Sequence, residues 1–205
     1  MSSSFGNLAG NQNLLYDFFT RGKAMHAPKV LELGAKRSLA SRSTIHKHWF
    51  PNAAVFHGSD IEPGEDVDVI ADVHNLSNIV GPESYDIIIS CSTFEHFKYP
   101  HLASTEIMKS LKISGVIFVQ THQTYHIHSY PSDYFRYTRE GLSALFPKTM
   151  GFEVISTCYN FPAEIHSDRV PWQAANNAFL NVCLFGEKLD KTPAVFVPDV
   201  NTAGQ

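Results

Sequence analysis

No stretch of this 205-residue chain approaches the roughly 20 consecutive apolar residues a membrane-crossing helix needs, which argues against a membrane partner. Cysteine is scarce. Cys91, Cys158 and Cys183 are odd in number and far apart, so a disulfide framework is excluded and buried free thiols are expected. Lysine and arginine form no cluster and the formal charge is −4, which leaves no basic face for a nucleic-acid partner. The opening MSSSFGNLAGNQN has neither the basic start nor the apolar stretch of an export signal, so a cytoplasmic location is expected. Internal repeats and linkers are missing too. The expectation is one domain over 1–205, with a flexible arm at 1–10, an N-terminal helix at 11–22 and an irregular tail at 190–205.

What is present is a series of short apolar runs rich in Val and Ile: 29–35, 54–61, 67–73, 85–92, 115–122, 152–159 and 178–188. Runs apolar on both faces belong to strands covered by helices on both sides, so the fold class is α/β: a mostly parallel seven-stranded sheet flanked by helices. Residues 13–21 carry an apolar stripe at 14, 15, 18 and 19, which Gly22 would close as a helix end. Ala103, Ile107, Met108 and Leu111 give one helical face over 101–112, and a second helix is predicted from the N-cap Thr138 to Pro147. Segment 38–50 has few apolar positions. Only residues 62–66 separate the second and third runs, too few for an ordinary parallel crossover, so either a helix has been lost there or the strand bounds differ.

The chemistry gathers at strand ends. In VLELGAKRS (30–38) an apolar run meets an acid, Glu32, and then Gly34, where a backbone can approach a ligand and a following helix would offer free N–H groups to an anion. The second run ends in Asp60, placed as an acid that accepts hydrogen bonds from the vicinal hydroxyls of a ribose. The third ends in Asp72, able to reach an adenine amino group from the same rim. The fourth, YDIIISCSTFEHF, ends in small polar residues and feeds Glu95 and His96. Read singly, each of these residues is also an ordinary turn glycine, helix cap or solvated acid.

In this order the motifs resemble the class I S-adenosylmethionine-dependent methyltransferases, particularly the small bacterial type with Glu-His after strand four. The resemblance covers about residues 29–146 and implies a Rossmann-like fold with S-adenosylmethionine as cofactor. It would put Glu32, Gly34, Ala35 and Lys36 at the methionine end, Asp60 and Ile61 at the ribose, Asp72 and Val73 at the adenine, and Cys91, Ser92 and Thr93 beside the sulfonium. The chain departs from the family where two or three glycines are usual. It has Gly34-Ala35-Lys36-Arg37 instead, and the two cations are candidates to pair with the methionine carboxylate.

The stretch QTHQTYHIHSYPSDYFRYT (120–138) holds three histidines, four tyrosines, Asp133 and Arg136, with almost no aliphatic residues. Loops at the carboxyl ends of parallel strands hold substrates, so His126, His128, Tyr130, Tyr134 and Arg136 are the candidate acceptor contacts. His122, at the strand end, is the candidate general base, with Glu95, His96 and Asp133 as the other candidate catalytic groups. A loop of this kind also forms simply to hydrogen-bond itself. His122, His126 and His128 with Glu95 or His96 would suit a divalent metal, but H-x-x-x-H-x-H is a weak metal spacing and no metal is assigned.

The leading reading is methyl transfer to a small polar acceptor, most simply the oxygen of a sugar-like or aromatic alcohol. A methyltransferase-like binding or scaffold protein without activity is the alternative, suggested by the altered glycine turn. A nicotinamide-dependent oxidoreductase is disfavoured because G-x-G-x-x-G is absent. The aromatic N-terminal helix is expected either to cover the cofactor or to meet a second copy in a homodimer.

Overall fold

The computed structural model describes Gly10, residues 13–39, residue 41, residues 43–166 and residues 177–199. The expected arm at 1–9 and the tail beyond 199 lie outside the described residues. The strands are β1 (Lys29–Leu33), β2 (Val55–Asp60), β3 (Val69–Ile70), β4 (Tyr85–Cys91), β5 (Leu111–His122), β6 (Phe152–Glu164) and β7 (Asn177–Lys188). They form one sheet in the order β3-β2-β1-β4-β5-β7-β6, parallel except for β7, which runs antiparallel to both its neighbours.

Alternation along each strand explains why the runs are apolar on both faces. Leu31, Ile88, Ile117, Val119 and Leu184 enter one core, while Val30, Ile87, Ile89, Phe118 and Phe185 enter the other. The first core is covered by α2 (Leu76–Val80), by Ile107 and Met108 of α3 (Pro100–Ser110), and by Leu142 of α4 (Arg139–Ser143). The second is covered by Leu14 and Phe18 of α1 (Leu14–Lys23), with Phe18 stacked on Phe118 at 5.3 Å between ring centroids. Helix α1 therefore seals the far side of the sheet. None of its residues lines the strand-end pocket described below, so it does not cover that site.

Four local expectations change. Gly22 lies inside α1 and is buried; a Cβ there would meet Phe50 Cε1 at 2.4 Å, so the glycine permits a close approach and does not end the helix. Thr138 does cap α4, accepting the Gly141 N–H at 3.0 Å, but that helix closes at Ser143, short of Pro147. No α-helix follows β1 among the described residues before β2, where only a 3-10 turn at Lys47–Trp49 is found, in keeping with the missing apolar stripe. Nor is there a helix between β2 and β3. A short link suffices because β3 pairs only with the last two residues of β2, Val69 opposite Ser59 and Ile70 opposite Asp60, so the chain need not travel back the length of a strand.

The three thiols, distant in sequence, share a row across the sheet: Cys91 pairs with Gln120, Gln120 with Cys183, and Cys183 with Cys158. All three are free. No described helix is long and apolar enough to cross a membrane.

Candidate active site

At the carboxyl ends of β1, β2, β3 and β4 the sheet opens into a cavity of about 400 Å³. That size suits a small-molecule site. Gly34, Lys36, Asp60, Ile61, Asp72, Val73 and Ser92 line it, as the sequence suggested; Glu32, Ala35 and Cys91 lie behind it. Ala35 is buried with its N–H donated to the Ser59 carbonyl at 3.0 Å. Glu32 is also buried and accepts both the backbone N–H of His46 and a hydrogen bond from its Nδ1, each at 2.6 Å, so it anchors the long loop after β1. Burial pushes the Cys91 thiol well above its usual range, and the nearby Glu32 and Glu95 charges add to that.

The walls are set by close backbone approaches. Gly34 has φ +71°, and a Cβ on it would meet Thr93 Oγ1 at 2.3 Å. Thr93 Oγ1 in turn donates toward the Cys91 carbonyl at 3.0 Å and the Leu33 carbonyl at 3.3 Å, tying the end of β4 to the end of β1. Ser92 sits at φ +52°, a left-handed conformation that costs a non-glycine residue about 1 kcal/mol or more and that gathers at functional sites. Asp60 accepts two backbone N–H groups, from Lys36 at 3.1 Å and Glu62 at 3.2 Å. A carboxylate has about four acceptor positions, so Asp60 keeps capacity for two hydroxyls. Ile61 beside it is 65% exposed, an apolar surface next to the acid. Asp72 caps the turn Val73–Asn75, taking the His74 N–H at 2.9 Å and its Nδ1 at 2.7 Å.

The two cations after Gly34 are committed elsewhere. Lys36 pairs with Glu62, and Arg37 reaches Asp66 at 2.9 Å and Glu65 at 2.6 Å. They are not directed at a ligand carboxylate.

The far end of the cavity is bounded by His96 and by Ser129 of the 120–138 loop. Behind His96 lies the densest polar cluster of the described residues. Glu95 is fully buried; its Oε2 accepts from Thr121 Oγ1 at 2.6 Å. Its Oε1 has no aligned hydrogen bond. Around that oxygen stand His122 Nε2 at 3.0 Å and the Nε2 atoms of His96 and His128, each at 3.8 Å. Among the described residues, Glu95, His122 and His128 are the group whose ligand atoms lie within 4.8 Å of one another. Burial alone would raise the Glu95 carboxyl, but the His122 and Thr121 partners outweigh it and hold it below the usual range. Burial would lower His122, and the Glu95 carboxylate reverses that, raising it above the usual imidazole value.

The loop is fixed around this cluster. Asp133 receives Arg136 through both oxygens, at 2.6 and 2.8 Å, and the His128 N–H at 2.8 Å; the Arg136 guanidinium holds its carboxyl far below the ordinary carboxylate range. Arg136 also donates to the carbonyls of Tyr125, Phe135 and His126, so it braces the loop and is not free for an acceptor. Tyr125 stacks on His122 with centroids 4.1 Å apart. His126, Tyr130 and Tyr134 are exposed, Tyr130 at 88%, whereas His128 is drawn into the cluster. The sequence reading did not single out His74, Phe97 or Ser129 as lining residues. His74 had a signal, being two residues past the acid of β3; Ser129 had none.

Strand order, the antiparallel β7 and a pocket over the ends of β1 to β4 decide the family of folds. The chain has the class I methyltransferase fold. Residues 52–119 match the family model described as a methyltransferase domain. No curated protein matches by sequence. Among solved structures, the domain is similar to an S-adenosylmethionine-dependent methyltransferase from Archaeoglobus fulgidus (TM-score 0.59, 14% identity, covering 85% of this chain and 91% of that one). It is also similar to the YcgJ protein of Bacillus subtilis (0.55, 15%, 88% and 100%). A third similar structure is the 1,6-didemethyltoxoflavin-N1-methyltransferase of Burkholderia thailandensis, solved with its acceptor and S-adenosylhomocysteine bound (0.53, 13%, 83% and 77%).

Proposed function

We propose that the chain is a methyltransferase that binds S-adenosylmethionine and methylates a hydroxyl oxygen of a small polar acceptor, a sugar-like or aromatic alcohol. One observation carries the reading: a single cavity is lined by both a ribose-type acid, Asp60, and an imidazole, His96. When bound, S-adenosylmethionine supplies a methyl group already activated on a sulfonium. Asp60 would accept the ribose hydroxyls, Ile61, Val73 and Phe97 would give apolar surface to the purine, and Gly34 with Ser92 would let the backbone close on the methionine end.

The remaining task is proton removal, worth about 10²- to 10⁴-fold in rate. His96 is better placed for it than His122. Nδ1 of His96 lies 2.6 Å from the Ser132 carbonyl, which can only accept, so a proton sits on Nδ1, while Nε2 stands 3.8 Å from Glu95 Oε1, beyond hydrogen-bond distance, in a residue that borders the cavity. His122 has Asn181 Oδ1 at 3.2 Å on one nitrogen and Glu95 at 3.0 Å on the other.

The second reading, a binding protein without activity, draws on the turn after Gly34, where the described residues 34–39 start no helix whose N-terminus could face the methionine carboxylate. Calorimetric titration with S-adenosylhomocysteine, followed by methyl-transfer assays on sugars and phenols, separates the two. Binding with turnover that falls at least 100-fold in His96→Asn supports the enzyme; absence of binding at millimolar ligand overturns it.

A further inference from the structure

The nearest groups around Glu95 Oε1 are imidazoles, and the nearby Arg136 guanidinium is already paired with Asp133. His122 Nδ1 faces Asn181 Oδ1 at 3.2 Å, and His128 Nδ1 faces the His126 carbonyl at 3.3 Å and Asp133 Oδ2 at 3.4 Å. These partners accept, so each Nδ1 carries a hydrogen, and each Nε2, once deprotonated, offers a lone pair beside the same carboxylate oxygen. A fully buried oxygen with imidazole nitrogens 3.0 and 3.8 Å away is satisfied either by a proton on His122 or by a metal cation held between them.

We propose that Glu95 Oε1, His122 Nε2 and His128 Nε2 form a binding site for a divalent first-row transition metal, of which Zn²⁺ is the reference. Ligands at about 2.0–2.1 Å from a tetrahedral ion lie roughly 3.3 Å apart, and the two measured separations bracket that figure. Each ligand also has the outer partner that such sites use to fix orientation: Asn181 for His122, Asp133 for His128, and Thr121 for the second oxygen of Glu95. Two imidazoles with one carboxylate select zinc, iron, cobalt or nickel over magnesium, which prefers an all-oxygen shell. Three protein ligands are the complement of a zinc site that keeps a position open to water or substrate. The cluster is least buried at His96 and His128, each about a quarter exposed, and His96 borders the cofactor cavity. A metal held here would stand as a Lewis acid beside the acceptor end.

The site does not depend on methyl transfer, and its test is independent of turnover. Chelator-treated protein is titrated with Zn²⁺ and, in parallel, with Mg²⁺, and Co²⁺ binding is followed by its visible absorption. The expected result is one equivalent of Zn²⁺ per chain at micromolar affinity or tighter, visible bands for Co²⁺, and no heat with millimolar Mg²⁺. Glu95→Gln and His128→Ala should each weaken Zn²⁺ at least 100-fold, while His101→Ala, remote from the cluster, should not. His128→Ala removes a partly exposed loop side chain, and circular dichroism with S-adenosylhomocysteine titration of the same samples reports on its folding and on the cofactor site separately. Absence of stoichiometric Zn²⁺ binding, or equal affinity in wild type, Glu95→Gln and His128→Ala, overturns the proposal and leaves a proton as the bridge between His122 and Glu95. Cofactor binding would be untouched by that outcome.

Discussion

The Asp60 carboxylate and the backbone N–H of Lys36 meet at 3.1 Å, joining the last residue of β2 to the turn that follows β1. This bond, with the one from the Glu62 N–H, fixes the carboxylate before any ligand arrives.

Removing that carboxylate should therefore act on binding more than on folding. Hydrogen bonds to a charged group contribute about 1.5–3 kcal/mol each, so Asp60→Ala is expected to weaken S-adenosylhomocysteine at least tenfold, with Asp60→Asn in between. Isothermal titration measures it. Unchanged affinity in Asp60→Ala would remove the ribose assignment.

Gly22→Ala tests which of two opposed effects governs α1. Helix propensity favours alanine by about 1 kcal/mol, whereas overpacking costs about 1–3 kcal/mol. With a Cβ placed 2.4 Å from the Phe50 ring and 3.0 Å from Ile87 Cδ1, packing should win and the variant should melt lower than wild type. Adding Phe50→Leu to Gly22→Ala should recover part of the loss in thermal denaturation. A higher melting temperature for Gly22→Ala alone would show that the helix shifts freely.

Glu106 provides the pH dependence. Its Oε2 accepts the Ser77 N–H at 3.0 Å together with the Ser77 hydroxyl, and its Oε1 takes Lys109 at 2.8 Å, so one buried acid of α3 ties down α2. Burial would raise this carboxyl, but the Lys109 and Ser77 partners prevail and lower it. Because the folded state holds it below the unfolded value, its stabilisation is complete above the ordinary carboxylate range and is lost as pH falls through the folded value. Glu106→Gln should thus cost about 1–3 kcal/mol in urea unfolding at pH 7, and the gap from wild type should shrink at about pH 3. A gap independent of pH would assign the cost to packing alone.

The sheet was readable from sequence because its central runs, β1, β4 and β5, keep both faces apolar, a pattern a buried strand imposes residue by residue. What resisted reading was set by distant partners. Gly22 looks like a helix end until Phe50 is seen against it, and β3 shrinks to two residues because only the end of β2 is beside it. The rim acids Asp60 and Asp72 were legible from their place at strand ends. The convergence on Glu95 was legible only as a set of candidates, His122, His126 and His128 with Glu95 or His96. Which of them meet depends on β4, β5 and the loop to Asp133 folding together; for the same reason Arg136 read as an acceptor contact although its donors turn inward to Asp133.

The sheet is held unequally at its two flanks. Strands β6 and β7 pair along most of their length, whereas β3 rests on two residue pairs with the Asp68 and Ala71 N–H groups donated to Gly58 and Asp60. Segments so lightly fastened open at far lower free energy than the whole molecule. Asp72 and Val73 follow directly from β3, so each opening of that edge also dismantles one wall of the cavity. On the proposed assignment, the residence time of a bound nucleoside would be tied to the breathing of the sheet's weakest edge, and a substitution that lengthened β3 would slow release without touching a single ligand contact.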